Sequence, residues 1–169
     1  MMAGKLQVFF CRRLGKELWD MSQSIKAIKL GIITCSTATQ EMDCCSVSCL
    51  RDFNLRLGGF RNYPSDQPLR LVGLISCAGC PTRVYPEKIL RKVDSLVRFG
   101  VTSLHFSNCL AAFCPFVNTY HQVISKRYPE LELIGCTHEK HISDEEFRGK
   151  LRCAFESNLK IPDIILGKV

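Results

Sequence analysis

Four short apolar runs, each rich in branched aliphatic residues and each ending in cysteine, constrain the fold more than any other feature of the sequence. They are IKLGIITC (28–35), LRLVGLISC (69–77), VTSLHFSNC (101–109) and LELIGC (131–136). Segments with helical spacing of apolar residues lie between them. Strands that alternate with helices build a parallel sheet with helices on its faces. The sequence therefore predicts an α/β fold.

Three helices are expected between the strands, in residues 47–59, 86–100 and 116–130. Their apolar residues recur at spacings of three and four, which places them on one side of each helix. Glycine or proline ends each segment. The predicted buried faces, in chain order, are Val47, Leu50, Phe53 and Leu57; Ile89, Leu90, Val93, Leu96 and Val97; and Val117, Tyr120, Val123 and Ile124.

Right-handed crossovers leave few topologies for this alternation. We expect an open, flavodoxin-like sheet of four parallel strands in the order 2-1-3-4, with helices on both faces and PDIILGKV (162–169) as a candidate fifth strand. Residues 1–27 are expected to be an N-terminal extension, and residues 28–138 a cysteine-rich α/β domain. Residues 139–169 should add a C-terminal helix and the candidate edge strand, because Ser143 and Glu146 form a capping-box pattern before Phe147 and Leu151.

Charge and hydropathy argue against a membrane or a nucleic acid as the partner. No apolar stretch reaches the roughly 18–20 residues of a membrane span, and no signal peptide is recognisable, so a cytoplasmic location is expected, where thiols stay reduced. The net charge of +7 divides into +4 for residues 1–30 and +3 for the remaining 139 residues. The body of the chain therefore lacks the basic stripe that a nucleic-acid partner would require.

Cysteines at the ends of parallel strands are expected to meet. The carboxyl ends of all strands lie at one edge of a parallel sheet, which is where open α/β sheets bind their ligands. Cysteines of all four runs would reach that edge, and short sequence spacings bring further thiols and one imidazole towards it. The strand-end residues are Cys35, Cys77, Cys109 and Cys136, and the further ones are Cys44, Cys45, Cys49, Cys80, Cys114 and His138.

The pair Cys77 and Cys80 is the most informative of these. A Cys-x-x-Cys in a reducing compartment can hold a metal, cycle as a redox pair, or serve as two small apolar residues. Gly79 allows both sulfurs to face one point, and the next helix begins several residues later than in a thioredoxin-type motif. The total of eleven cysteines is odd, which argues against a framework of disulfides.

The arrangement of these motifs resembles the CGGC domain family. The resemblance covers residues 29–138 and rests on SCAGCP (76–81), CLAAFCPF (109–116), an early C…CCSVSC (35–49) and a closing CTH (136–138). Ala78 stands where the family motif has its first glycine, and both sulfurs of the motif are retained. The resemblance implies metal binding by Cys and His, with zinc as the expected ion and no defined reaction.

Three functional hypotheses follow. The first is a zinc-binding protein, since Cys and His are the usual zinc ligands; its candidate ligands are Cys35, Cys77, Cys80, Cys109, Cys114, His138, Cys136, Cys44, Cys45 and Cys49. The second is an iron–sulfur protein, because Cys80-Pro81 and Cys114-Pro115 resemble the Cys-Pro endings of ferredoxin motifs. The third is a thiol-dependent redox enzyme or an enzyme with a cysteine nucleophile.

The remaining cysteines and histidines, His141 among them, are expected to be structural. Cys11 precedes the domain, Cys153 falls in an amphipathic helix, and His105 and His121 lie in a strand and on a helix. No glycine-rich loop follows the first strand, so a nucleotide cofactor is not expected.

Overall fold

The computed structural model describes residues 27–77, 79, 86–156 and 165–167. Within them the chain forms one open sheet of four parallel strands in the order β2-β1-β3-β4. The predicted α/β class and strand order are therefore confirmed. The strands are β1 (Ile28–Thr34), β2 (Leu69–Ser76), β3 (Ser103–Phe106) and β4 (Glu132–Ile134).

The central strand β1 separates two hydrophobic clusters. Leu30 and Ile32 belong to one cluster and Ile33 to the other, as expected for side chains that alternate across a sheet. Gly31 also points to the Ile33 side, where a Cβ atom would lie 2.8 Å from Leu96 Cδ1. The absence of a side chain at Gly31 thus lets a helix pack closely on the sheet.

Helices cover both faces of this sheet. Two of the predicted buried faces are confirmed, because the residues named for the segments 86–100 and 116–130 are buried or half-buried. The helices are α1 (Ser36–Gln40), α2 (Val47–Leu55), α3 (Glu87–Arg98), α4 (Asn108–Phe113), α5 (Val117–Arg127) and α6 (Asp144–Glu156), with a 3-10 turn at Gly58–Phe60.

The predicted face of α2 is confirmed for Phe53, which packs against the smaller hydrophobic cluster, but it is wrong for Val47 and Leu50. Val47 is 49% exposed and Leu50 is 37% exposed, whereas the polar residues Ser48, Cys49 and Asp52 are buried. The helix is therefore rotated from the orientation that its apolar spacing indicates. A side chain that finds a buried hydrogen-bond partner can be buried in place of an apolar one, and two of these residues do so at the site described below.

The predicted third strand is too long. It was expected to extend to Cys109, but β3 ends at Phe106 and Ser107 caps α4. Ser107 Oγ accepts a hydrogen bond from Leu110 N at 3.3 Å, which is the usual role of serine at a helix N-cap. Cys109 consequently lies in the first turn of a helix and not on a strand.

The C-terminal helix α6 is present as predicted. Ser143 Oγ accepts a hydrogen bond from Glu146 N at 3.1 Å, and Phe147 and Leu151 join the larger hydrophobic cluster. Of the candidate fifth strand, the structure describes residues 165–167, which form a helical turn. The N-terminal extension lies outside the described residues, apart from residue 27. No helix in the described segments has the length and apolar character needed to cross a membrane.

Candidate metal centre

Two thiols meet where the adjacent strands β1 and β2 end. Thr34 is paired with Ser76 in the parallel register, and Cys77 N extends the ladder by donating to Thr34 O at 2.8 Å. The next residues in register are Cys35 and Cys77. Their side chains form a hydrogen bond with each other, and both are buried.

Several donors converge on the sulfur of Cys77. Besides Cys35, Ser36 N and Ser36 Oγ each lie 3.3 Å from Cys77 Sγ, and the backbone of Gly79 forms a further hydrogen bond. The hydrogen bond from Cys35 lowers the pKa of Cys77, with Ser36 and Gly79 adding to the effect, and the same bond together with burial raises the pKa of Cys35. The two contacts from Ser36 favour negative charge on Cys77, so Cys77 is the member of the pair that loses its proton more readily.

A second group consists of Cys49, His138 and Asp52. Cys49 and Asp52 lie three residues apart on α2, which places them on one side of that helix. Cys49 Sγ is 3.4 Å from His138 Nε2, and Asp52 Oδ2 is 2.7 Å from His138 Nδ1. All three residues are buried. Asp52 holds the proton on Nδ1 and thereby directs the Nε2 lone pair at the thiol.

The segment that carries His138 is held in place by Asn108, the first residue of α4. Asn108 Oδ1 accepts hydrogen bonds from Thr137 N at 2.9 Å and His138 N at 3.0 Å, and Asn108 Nδ2 donates to His138 O at 3.1 Å. Burial lowers the pKa of His138, against the opposing effect of Asp52. The imidazole is therefore neutral at physiological pH, and neutral imidazole is the form that ligates metals.

Cys109 lies near thiols of both groups. Its Sγ is 3.1 Å from Ser107 Oγ. Burial raises the pKa of Cys44 and also that of Cys49, to about 12, and the nearby Cys109 adds to both effects. Cys109 also adds to the raised pKa of Cys35, after the hydrogen bond from Cys77 and burial. Cys109 thus interacts electrostatically with thiols of both groups.

The ligand types of the second group fit zinc. Zinc binds sulfur at about 2.3 Å and nitrogen at about 2.0–2.1 Å, so a sulfur and a nitrogen on one tetrahedral zinc ion are about 3.5 Å apart. The distance between Cys49 Sγ and His138 Nε2 is 3.4 Å. A carboxylate on the other nitrogen of a metal-ligating histidine is also usual. Among the described residues, however, no three Cys, His, Asp or Glu side chains are arranged to hold a metal together.

The other candidate ligands are placed differently. Cys45 is exposed, whereas Cys114 and Cys136 are half-buried. The Cys136 sulfur lies against Gly59, 3.0 Å from where a Cβ atom would be. Cys80 is outside the described residues.

Two of the five residues expected to be structural have clear structural roles. His105 is fully buried and lies between Tyr63 Oη, 2.8 Å from Nε2, and Cys136 O, 2.9 Å from Nδ1. His121 stacks on Phe106, with ring centroids 6.0 Å apart. Cys153 is exposed, and Cys11 lies outside the described residues.

Sequence reasoning missed Asp52 and Asn108. The position of Asp52 could have been predicted, because it lies one helical turn after Cys49 and therefore on the same side of α2. The role of Asn108 could not have been predicted from local sequence, since it depends on a segment 30 residues further along the chain.

Comparison with known proteins gives one match. A family model described as the CGGC domain matches residues 29–138. No curated protein and no solved structure matches the chain. The matched range includes every residue of the two groups described above.

Proposed function

Because the chain belongs to the CGGC domain family, we propose that it is a zinc-binding protein in which Cys49 and His138 are two of the ligands. The observation that carries this proposal is the Cys49–His138–Asp52 arrangement, in which a buried thiol faces an imidazole nitrogen whose partner nitrogen is bound by a carboxylate. This combination orients the histidine as a metal ligand.

We assign Cys44 and Cys109 as the other two ligands. Their side chains would have to move towards Cys49 and His138 when the ion binds, because no three such side chains of the described residues are arranged around one point. Both are buried, and both interact electrostatically with Cys49. One imidazole and three thiolates form a usual structural zinc site. Ligation requires that the thiols lose their protons, so the metal must displace the proton of Cys49, whose pKa burial raises to about 12.

Zinc at this position would tie together three parts of the chain. Cys49 lies on α2, Cys109 on α4, and His138 follows β4. Zinc has no redox chemistry and takes four ligands in closed structural sites, so the bound ion would act as a cross-link. The nitrogen ligand favours zinc over an iron–sulfur cluster, because clusters are held mainly by cysteine thiolates.

A cytoplasmic location belongs to the same proposal. All nine cysteines of the described segments are free thiols. A reducing compartment keeps thiols available for metal ligation.

The test is metal analysis of protein purified without oxygen. We expect about one zinc per chain, and X-ray absorption should show both sulfur and nitrogen ligands at the Zn–S and Zn–N distances given above. A brown protein with iron and sulfide would instead support the iron–sulfur alternative. Metal well below one equivalent, with every thiol reactive, would refute metal binding.

Variants locate the ion. Cys49→Ser and His138→Ala should each lose most of the zinc, whereas Cys45→Ser should retain it, because Cys45 is exposed and next to a proposed ligand. The opposite result would overturn the ligand set. If Cys49→Ser and His138→Ala kept their zinc while Cys35→Ser or Cys77→Ser lost it, the metal would lie near the end of β2.

A further inference from the structure

Cys77 borders two cavities of different character. One cavity, of about 380 Å³, is mainly apolar and includes Cys35, Met42, Phe113 and Tyr120 in its lining. The other, of about 530 Å³, is open and polar. Among the cysteines that the structure describes, only Cys77 lines both, although its side chain is otherwise buried.

The polar cavity is positively charged. Lys88, Arg91, Lys92 and Ser95 lie at spacings of three and four on α3, and they form one wall. Lys92 Nζ donates to Ser76 O at 2.8 Å, which holds one cation beside the end of β2. Lys88 and Arg91 make no ion pair with another described residue, and none of the described residues lining the cavity is acidic.

From this juxtaposition we propose that Cys35 and Cys77 form a reactive dithiol, separate from the zinc site, that reduces small disulfides carrying carboxylate groups. The cationic wall of α3 would bind the carboxylates, and the apolar cavity would accept the uncharged part of the molecule. Positive charge next to a thiolate raises the local concentration of anionic reactants.

The reaction is thiol–disulfide exchange in two steps. The Cys77 thiolate attacks one sulfur of the substrate RS–SR, the S–S bond breaks, and RS⁻ leaves and takes a proton from water. The Cys35 thiol then releases its proton to water and attacks the Cys77 sulfur of the mixed disulfide, so that the second RS⁻ leaves. Two electrons pass from the cysteine pair to the substrate, and an external dithiol must reduce the pair again.

The backbone geometry allows the product disulfide. Cys35 and Cys77 follow the paired residues Thr34 and Ser76, and neighbouring strands lie ~4.7–4.9 Å apart. This spacing falls within the roughly 4.4–6.8 Å between Cα atoms that disulfides span. Both side chains also belong to the same hydrophobic cluster and line the same apolar cavity, so they lie on the same face of the sheet.

The experiment compares an anionic disulfide, dithiobis(nitrobenzoate), with the neutral dipyridyl disulfide on the full chain, with zinc measured before and after. We expect a fast phase that consumes two thiols without loss of zinc, and peptide mapping should identify the Cys35–Cys77 disulfide. Cys35→Ser should stop at a mixed disulfide on Cys77. Reaction only after a chelator has removed the zinc, or a disulfide between other cysteines, would overturn the proposal.

Charge variants test the substrate class. The double variant Lys88→Gln, Arg91→Gln should slow the reaction with the anionic disulfide by about tenfold at low salt, and the reaction with the neutral disulfide by less than about twofold. Lys126→Gln, which removes an exposed charge from α5, serves as the control and should change neither rate. Equal slowing of both disulfides by the double variant would refute recognition of the carboxylates. These substitutions are at exposed positions, so their outcome does not depend on whether Cys77 variants fold.

Discussion

Asp52 Oδ2 lies 2.7 Å from His138 Nδ1, although 86 residues separate the two in the chain. The carboxylate fixes the imidazole tautomer and orientation, and loss of such a partner typically reduces metal affinity by roughly 10–100-fold. We therefore expect Asp52→Asn to weaken zinc binding by about that factor. Competition titration with a chromophoric chelator would measure the change.

The matched control for this prediction is Asp66→Asn. Asp66 is exposed and lies in the turn that precedes β2, so its replacement removes the same charge without touching the site. Zinc affinity should be unchanged in this variant. If Asp52→Asn bound zinc as tightly as the unmodified protein, His138 would not be a ligand oriented by Asp52.

The order of the strands could be predicted because it depends on local pattern. The apolar runs that became β1 and β2 are long and bounded by clear helix signals, and parallel crossovers leave few alternatives for their order. The meeting of Cys35 and Cys77 follows from that order alone, since adjacent parallel strands end side by side. For this pair, sequence pattern and topology were sufficient.

The Cys49–His138–Asp52 group could not be predicted in the same way. The apolar spacing of α2 indicated a face that includes Val47 and Leu50, but the structure exposes these two residues and buries Cys49 and Asp52. Partners far along the chain determine that rotation, because His138 satisfies the buried carboxylate. Periodicity reports local amphipathicity and contains no information about such a partner.

Asn108 should be important for stability without being a ligand. Its side chain makes three hydrogen bonds to the backbone of residues 137 and 138, and leaving such groups unpaired costs about 1–3 kcal/mol each. We expect Asn108→Ala to lower the free energy of unfolding by about 2 kcal/mol or more, as measured by denaturant titration. Asn118→Ala, at an exposed position on α5, should change it by less than about 0.5 kcal/mol. Equal effects of the two substitutions would contradict the role assigned to Asn108.

His105 makes stability depend on pH. Burial lowers its pKa, so in the folded state the imidazole stays neutral where the unfolded chain already binds a proton. Above about pH 6.5, titration of this group therefore does not change the free energy of unfolding. As the pH falls below that value, the free energy of unfolding decreases by at most ~1.4 kcal/mol per pH unit. Denaturant titrations between neutral and mildly acidic pH would measure the slope.

The comparison for this prediction is His105→Gln, which removes the titrating group. Groups common to both proteins, including His138, cancel when the two slopes are subtracted. The variant should be less stable at neutral pH, since the hydrogen bonds of His105 with Tyr63 and Cys136 are altered, but its stability should fall less steeply with acid. Identical slopes would show that His105 binds its proton equally well in both states.

Gly58 tests whether the position of the His138 segment controls metal binding. Its φ is +54°, and a Cβ atom there would lie 2.5 Å from Thr137 O and 2.7 Å from His138 C. Because these are backbone atoms, Gly58→Ala must displace the segment, in addition to the cost of ~1–2 kcal/mol for a left-handed residue. We expect a loss of about 2 kcal/mol or more in unfolding free energy and weaker zinc binding. Gly135→Ala is the control, because a Cβ atom at Gly135 meets nothing within 4 Å and its φ is not positive. If the folded Gly58→Ala protein bound zinc with full affinity, the position of this segment would not control metal binding.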